Sequence, residues 1–94
     1  MPNIEMHGVR PQHNLAKHRE IAALFEGANY QDDIVVTLVA DQVFDVHGQP
    51  RPFLRVIFTQ NEPSNIKDDC LKRLISLNMD TEVVMIWAFI PKKT

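Results

Sequence analysis

The feature that most constrains the fold of this chain is a strand–helix–strand order that occurs twice within 94 residues. A loop over residues 46–52, with two prolines and a glycine, separates the two halves. Each strand-to-strand connection is long enough for a right-handed parallel β-α-β crossover. Two such units side by side predict one α/β domain over residues 1–94, with a four-stranded mixed sheet and both helices on one face.

The elements of the first half are indicated by hydrophobic periodicity and by helix-end signals. Residues 2–9 alternate between apolar and polar side chains, which predicts a strand. A helix is predicted over residues 12–26, because Pro11 suits a first helical turn and Gly27 suits a helix end. The β-prone run 34–40 predicts the second strand. The apolar stripe of the helix is predicted to consist of Leu15, Ile21, Ala22, Leu24 and Phe25.

The second half repeats this layout. Residues 53–59 predict the third strand, and residues 83–90 predict the fourth, which Pro91 ends. Between them, Ser64 is a suitable N-cap for a helix that ends near Asn78. The apolar face of this helix is predicted to consist of Ile66, Cys70, Leu71, Leu74 and Ile75, with Leu74 beneath the sheet and Cys70 filling the core.

Two long apolar strands predict that the chain associates with itself. Residues 34–40 and 83–90 are nearly continuous apolar runs, which is typical of strands buried on both faces. Two helices cover only one face of a sheet, so a second copy of the chain is expected to cover the other. The alternative is that these strands are merely β-prone and that the far face of the sheet, which the helices do not cover, is partly exposed to solvent. Asn3, Glu5 and His7 should share that far face, in a wet channel or an intersubunit hydrogen bond.

Charge and composition argue against several classes of function. A formal net charge of -2 argues against a general nucleic-acid binder. No run of 18 apolar residues is present, so no membrane-spanning helix is expected. The N-terminus lacks the basic and apolar regions of a signal peptide, and the single Cys70 cannot form an internal disulfide. We therefore expect a cytoplasmic protein.

The four histidines do not predict a metal site. His13 and His18 are five residues apart, so they do not share a helix face as ligands at i and i+4 would. No Cys–His or carboxylate cluster accompanies them, and no phosphate loop or dinucleotide fingerprint is present. We expect no metal and no cofactor.

The start of the chain and its second strand carry a resemblance to a known family. The chain begins Met1-Pro2 before an alternating strand, and residues 34–48 read Ile-Val-Val-Thr-Leu-Val-Ala-Asp-Gln-Val-Phe-Asp-Val-His-Gly. With the double β-α-β layout, these residues resemble the tautomerase superfamily, which includes 4-oxalocrotonate tautomerase and macrophage migration inhibitory factor. The resemblance implies a homotrimer in which Met1 is removed and Pro2 is the general base.

The chemistry explains why such a family uses an N-terminal proline. A terminal secondary amine can accept a proton, and an ordinary α-amino group titrates near about 7.7–8.0. Apolar walls disfavour the ammonium form and lower its pKa towards the operating pH. The resemblance therefore implies keto–enol tautomerisation of a small keto acid. If Met1 is retained, the nitrogen of Pro2 is a tertiary amide and is not a base.

The resemblance also implies that an arginine holds the carboxylate of the substrate. The candidates are Arg10, which follows the first strand, and Arg51 and Arg55, which are expected near Pro2. Phe53 and the fourth strand would form the apolar walls of the site.

Several polar residues of the family have no counterpart in this chain. Residues 28–31 stand where one branch has a lysine, and Val35 or Val36 stands where another has an arginine. Val84 and Ile86 correspond roughly to a tyrosine and an asparagine. The alternative function is therefore a non-catalytic oligomer with the same fold and a binding or structural role.

Overall fold

The computed structural model describes residues 2–86, which form four strands and two α-helices. In chain order these are β1 (Asn3–His7), α1 (Asn14–Leu24), β2 (Val35–Val39), β3 (Phe53–Thr59), α2 (Ser64–Leu74) and β4 (Asp80–Ile86). Short 3-10 turns cover Pro11–His13, Gln31–Asp33 and Ile75–Leu77.

The four strands form one mixed sheet in the order β2-β1-β3-β4. Strand β1 is parallel to β2 and antiparallel to β3, and β3 is parallel to β4. Each parallel pair is connected through one helix, so the predicted pair of β-α-β units is confirmed. The two units meet at the antiparallel contact between the central strands β1 and β3.

The core lies between the helices and one face of the sheet. Side chains alternate across a strand, and in β1 and β3 every second residue is fully buried. The predicted positions of Cys70 and Leu74 are confirmed, since both side chains are buried. The strand and helix residues of this core, together with Phe25 at the C-cap of α1, are Ile4, Met6, Leu54, Val56, Phe58, Ile21, Cys70 and Leu74.

Helix α1 buries a narrower stripe than the sequence predicted. Ile21 and Phe25 are buried, but Leu15 is 62% exposed and Ala22 is exposed as well. At about 100° per residue, Leu15 lies roughly 120° around the helix from Ile21, so both cannot face the sheet. The prediction was wrong at these two positions because apolar character alone does not place a residue on one face.

The ends of α2 also differ from the prediction. Ser64 is the first helical residue and not the cap, because Pro63 occupies the cap position and makes no side-chain capping bond. Ile75 is 74% exposed, since it begins a 3-10 turn in which the α-helical spacing no longer holds. The helical segment ends at Asn78, as predicted, and this residue has a left-handed φ of 52°.

The fourth strand begins three residues earlier than predicted, at Asp80. The predicted segment 87–90 lies outside the described residues. The earlier start adds Asp80 and Glu82 to the face of the sheet that the helices leave uncovered.

That uncovered face carries charge across its centre. Glu5 pairs with Arg55, and Arg55 pairs in turn with Glu82, which places three charged side chains side by side. Ile57 and Val84 form an apolar neighbouring row. The predicted placement of Asn3, Glu5 and His7 on this face is confirmed, because the period of two in β1 directs these polar residues away from the buried Ile4 and Met6.

Candidate functional site

Pro2 lies at the start of the central strand β1, and its ring is fully buried. Its carbonyl oxygen accepts a hydrogen bond from the backbone N–H of Val35, at 3.0 Å. By the alternation of the strand, its ring is on the helix side with Ile4 and Met6. Proline fits this position because the first residue of a strand need not donate to the ladder. Pro2 is thus anchored at the edge of the apolar core.

Most of the other predicted site residues lie at the opposite end of β1. The distance along the chain from Pro2 to His7, at the end of β1, is about 16 Å, at about 3.3 Å per residue. Arg10 follows that far end, and Phe53 pairs with His7 there. Arg51 precedes Phe53 and lies at the same end.

The expectation that Arg51 and Phe53 lie beside Pro2 is therefore wrong within one chain. Strand β3 is antiparallel to β1, so the start of β3 meets the end of β1. Arg55 lies between the two ends, opposite Glu5. Binding of substrate by any of these residues remains a prediction.

Two of the three candidate arginines have carboxylate partners. The Nε atom of Arg51 donates to Asp80 at 2.9 Å, and the Nε atom of Arg55 donates to Glu82 at 2.9 Å. Hydrogen bonding to these carboxylates raises the pKa of both guanidinium groups. Arg10 is exposed, and the hydrogen bonds and ion pairs within residues 2–86 include no carboxylate partner for it. Of the three candidate arginines, Arg10 is therefore the one most available to an anion.

His7 forms a polar cluster that the sequence did not predict as a unit. Its Nδ1 atom lies 2.7 Å from Oδ2 of Asp41, and its Nε2 atom lies 2.8 Å from Oε1 of Glu5. Its ring stacks on Phe53 with centroids 4.6 Å apart and planes 3° apart. The Cζ atom of Arg55 lies 5.4 Å from the centroid of the Phe53 ring, and its Nη1 atom lies 3.6 Å from Oε1 of Glu5. The doubly protonated imidazole can donate to both carboxylates.

The surroundings of His7 favour its charged form. Burial lowers its pKa, but the hydrogen bonds and charges of Asp41 and Glu5 outweigh burial, and the pKa is raised above the ordinary value of 6.5. Conversely, the hydrogen bond with His7 lowers the pKa of Asp41, and the backbone N–H of Gly8 also donates to it, at 2.6 Å.

Asp41 could have been found from the topology. It follows β2, which is parallel to β1, and the ends of parallel neighbours meet at the same edge of a sheet. The sequence prediction placed His7 on the correct face but gave it no partner, because Asp41 is 34 residues away along the chain.

Within residues 2–86, no group of three His, Cys, Asp or Glu side chains is arranged so that it could hold a metal ion. Of the helices within residues 2–86, none has the length and apolar character that crossing a membrane requires.

No protein-family model and no curated protein matches this sequence. Among solved structures, a fused 4-OT described as a wild-type symmetric trimer is 18% identical, with a TM-score of 0.50, over 97% of this chain and 85% of the other. Pt0534 inactivated by 2-oxo-3-pentynoate is 12% identical, with a TM-score of 0.50, over 90% of this chain and 83% of the other. The macrophage migration inhibitory factor of Trichinella spiralis is 13% identical, with a TM-score of 0.42, over 92% of this chain and 87% of the other.

At such low sequence identities, the likeness to these solved structures shows the fold alone. The chain has the tautomerase fold, and the resemblance predicted from Met1-Pro2 and the double β-α-β layout is confirmed at that level.

Proposed function

We propose that this protein catalyses the keto–enol tautomerisation of a small keto acid, with Pro2 as the general base after removal of Met1. The observation that carries the proposal is the fully buried ring of Pro2 at the start of the central strand of a tautomerase fold. An amine at that position borders apolar side chains, which disfavour its charged form and lower its pKa. A larger fraction of the amine is then neutral and able to accept a proton.

The reaction requires only proton transfers. The neutral nitrogen of Pro2 takes a proton from the carbon next to the carbonyl, so a C–H bond breaks, an N–H bond forms and the substrate becomes an enolate. The ammonium then returns the proton to the enolate oxygen, or the sequence runs in reverse. Because no electrons are exchanged with a second reactant, this proposal needs no cofactor.

The substrate carboxylate needs a cation, and within residues 2–86 Arg10, Arg51 and Phe53 lie at the far end of β1 from Pro2. In this proposal a second copy of the chain supplies these binding residues. A homotrimer is supported by analogy with the fused 4-OT described as a symmetric trimer. Among the candidates, Arg10 is the best choice, because Arg51 and Arg55 already have carboxylate partners.

The same ion pairs support a second candidate function. If Arg51 and Arg55 only hold Asp80 and Glu82, and no cation reaches Pro2, the protein is a non-catalytic oligomer with the tautomerase fold. Val84 and Ile86, which stand where one branch of the family has polar residues, fit this alternative.

The test starts with the intact mass of the protein from its native host, which shows whether Met1 is removed. The mature protein is then mixed with the enol of phenylpyruvate, and ketone formation is followed by absorbance. Pro2→Ala should slow the reaction by lowering kcat, while Pro63→Ala, which changes an exposed proline before α2, should not. A retained Met1, or equal activity in Pro2→Ala, contradicts the proposed base.

A further inference from the structure

His7 is placed so that its proton decides how two carboxylates are held. Its Nδ1 atom lies 2.7 Å from Asp41, and its Nε2 atom lies 2.8 Å from Glu5. The charged ring donates from both nitrogens, whereas the neutral ring carries a single N–H and presents a lone pair to the other carboxylate. Loss of the proton therefore costs His7 one of these two hydrogen bonds.

Glu5 is the partner that His7 gives up more easily. Asp41 is also held by the backbone N–H of Gly8, which donates to its second oxygen at 2.6 Å. Glu5 has another cation within reach, because Nη1 of Arg55 lies 3.6 Å from the same oxygen that faces His7. When His7 is neutral, we expect its remaining N–H to stay with Asp41 and Glu5 to turn towards Arg55.

Arg55 links Glu5 to the edge of the sheet. Its Nε atom donates to Glu82 of β4 at 2.9 Å. Glu5 and Glu82 lie opposite Arg55 on the two strands that flank β3, so one guanidinium serves two carboxylates. Once Glu5 loses its hydrogen bond with His7, it competes for the positive charge that offsets Glu82. The proton on His7 therefore changes the charge carried by β4, which is an edge strand of the sheet.

The charged groups around His7 leave a negative excess that depends on its proton. They are Glu5 on β1, Asp41 after β2, Arg51 and Arg55 before and within β3, and Asp80 and Glu82 on β4. With His7 charged, the four carboxylates exceed the three cations by one, and with His7 neutral they exceed the two arginines by two. The helices lie on the opposite side of the sheet, so the strands and their flanking segments set this balance.

We propose that the proton on His7 controls the self-association of this chain through the uncovered face of the sheet. The occupant of that face is a second copy, so the inference rests on the homotrimer of the proposed function. A copy that covers the face excludes water, and like charges on neighbouring copies then repel each other more strongly. The charged form of His7 reduces this repulsion. Assembly is therefore favoured below the raised pKa of His7 and weakens as pH rises through it.

The test is sedimentation equilibrium of the full chain across pH. The dissociation constant of the oligomer should rise about tenfold between about pH 5.5 and about pH 8.5, the effect of a one-unit difference in the pKa of His7 between monomer and oligomer. His7→Gln should abolish this rise, because glutamine does not titrate. His18→Gln, which changes an exposed histidine of α1, is the matched control and should keep it. Glu82→Gln should reduce the rise, because it removes one of the carboxylates that compete for Arg55.

A second measurement uses the wild type alone, so it does not depend on the folding of a variant. If a proton on His7 favours assembly, then assembly must favour that proton to the same extent. The pKa of the His7 ring, measured by NMR titration, should therefore rise with protein concentration as the oligomer forms. The pKa of the His18 ring should stay the same.

The outcomes separate this proposal from the proposed function. An oligomer whose dissociation constant does not change with pH, or changes equally in His7→Gln and His18→Gln, overturns the switch and leaves the oligomer standing. A wild type that is monomeric at every pH overturns both the oligomer and the switch. A failure of the proline mechanism changes neither measurement, because neither uses a substrate or the nitrogen of Pro2.

Discussion

The Nδ1 atom of His7 lies 2.7 Å from Oδ2 of Asp41, although 34 residues separate them in the chain. The contact exists because β1 and β2 are parallel and Asp41 follows the end of β2 beside His7. Since Glu5 lies 2.8 Å from the other ring nitrogen, the imidazole is held between two carboxylates on the face away from the helices. This arrangement makes the charge of His7 part of the stability of the fold.

The first prediction concerns the pH dependence of stability. The pKa of His7 is raised above 6.5, so the contribution of its charged form is complete below the unfolded pKa and is lost as pH rises through the folded pKa. The pKa of Asp41 is lowered below 3.8, so its contribution is lost only when pH falls through that lowered value. His7→Gln should therefore destabilise most between about pH 4 and 6.5, and progressively less above that range. Urea unfolding at fixed protein concentration across pH measures this difference.

The partner of His7 can be tested by NMR titration of its ring. Asp41→Asn should lower the pKa of His7, because a carboxylate hydrogen bond is removed. Asp32→Asn, in the exposed turn before β2, should leave it unchanged. An equal pKa in all three proteins would show that Asp41 is not the partner in solution.

The second prediction concerns the packing of α2. Leu74 is 2% exposed and Ile75, its neighbour, is 74% exposed. Leu74→Ala should cost about 2–5 kcal/mol of unfolding free energy, because it leaves a cavity in the core. Ile75→Ala should change that free energy by less than about 0.5 kcal/mol. Denaturant unfolding of both variants measures the contrast, and similar losses would contradict the assigned helix face.

The third prediction concerns the clamp formed by Asp69 and Arg73, which joins α2 to the end of α1 and to Tyr30. The hydroxyl of Tyr30 donates to Asp69 at 2.5 Å, and the Nε atom of Arg73 donates to the same oxygen at 2.8 Å. Arg73 also donates to the carbonyl of Leu24 at 2.9 Å, which satisfies an acceptor at the end of α1. Arg73→Ala should therefore lower the free energy of unfolding more than a substitution at a neighbouring exposed position does. Lys72→Ala, at an exposed position beside it, should cost less than about 0.5 kcal/mol, and equal losses would exclude the clamp.

The fourth prediction concerns assembly. Within the single chain, Val83 is 47% exposed and Ile86 is 41% exposed on the edge strand β4. Sedimentation equilibrium at micromolar concentration should give three times 10.8 kDa. Ile86→Asp should shift the protein towards the monomer, because it places a charge in the proposed interface. Val46→Asp, at a loop position that is 95% exposed, should not. A monomeric wild type would contradict the proposed oligomer.

The fifth prediction concerns the ionisation of Pro2. The rate of ketonisation should rise with pH through a pKa below the ordinary α-amino range of about 7.7–8.0, because only the neutral amine accepts a proton. Arg10→Ala should mainly raise KM if Arg10 only holds the carboxylate. A pH–rate profile of the mature protein measures the first effect. A normal pKa with no activity would favour the non-catalytic oligomer.

The amino-acid sequence by itself determined the order of the strands and helices, the identity of much of the core and the position of Pro2 before a strand. Periodicity is local, so Leu74 and Cys70 could be placed on the buried face of α2 from spacing alone. It could not separate Leu15 from the buried stripe of α1, because that depends on which side of the helix meets the sheet.

The tertiary structure alone decided which site residues meet. The antiparallel register of β1 and β3 carries Phe53 and Arg51 away from Pro2, and the parallel register of β1 and β2 brings Asp41 to His7. Register is set by the turns and by packing across the whole sheet, which no short segment encodes. The charged partners of Arg51 and Arg55 follow from the same pairing, because the earlier start of β4 brings Asp80 and Glu82 beside them.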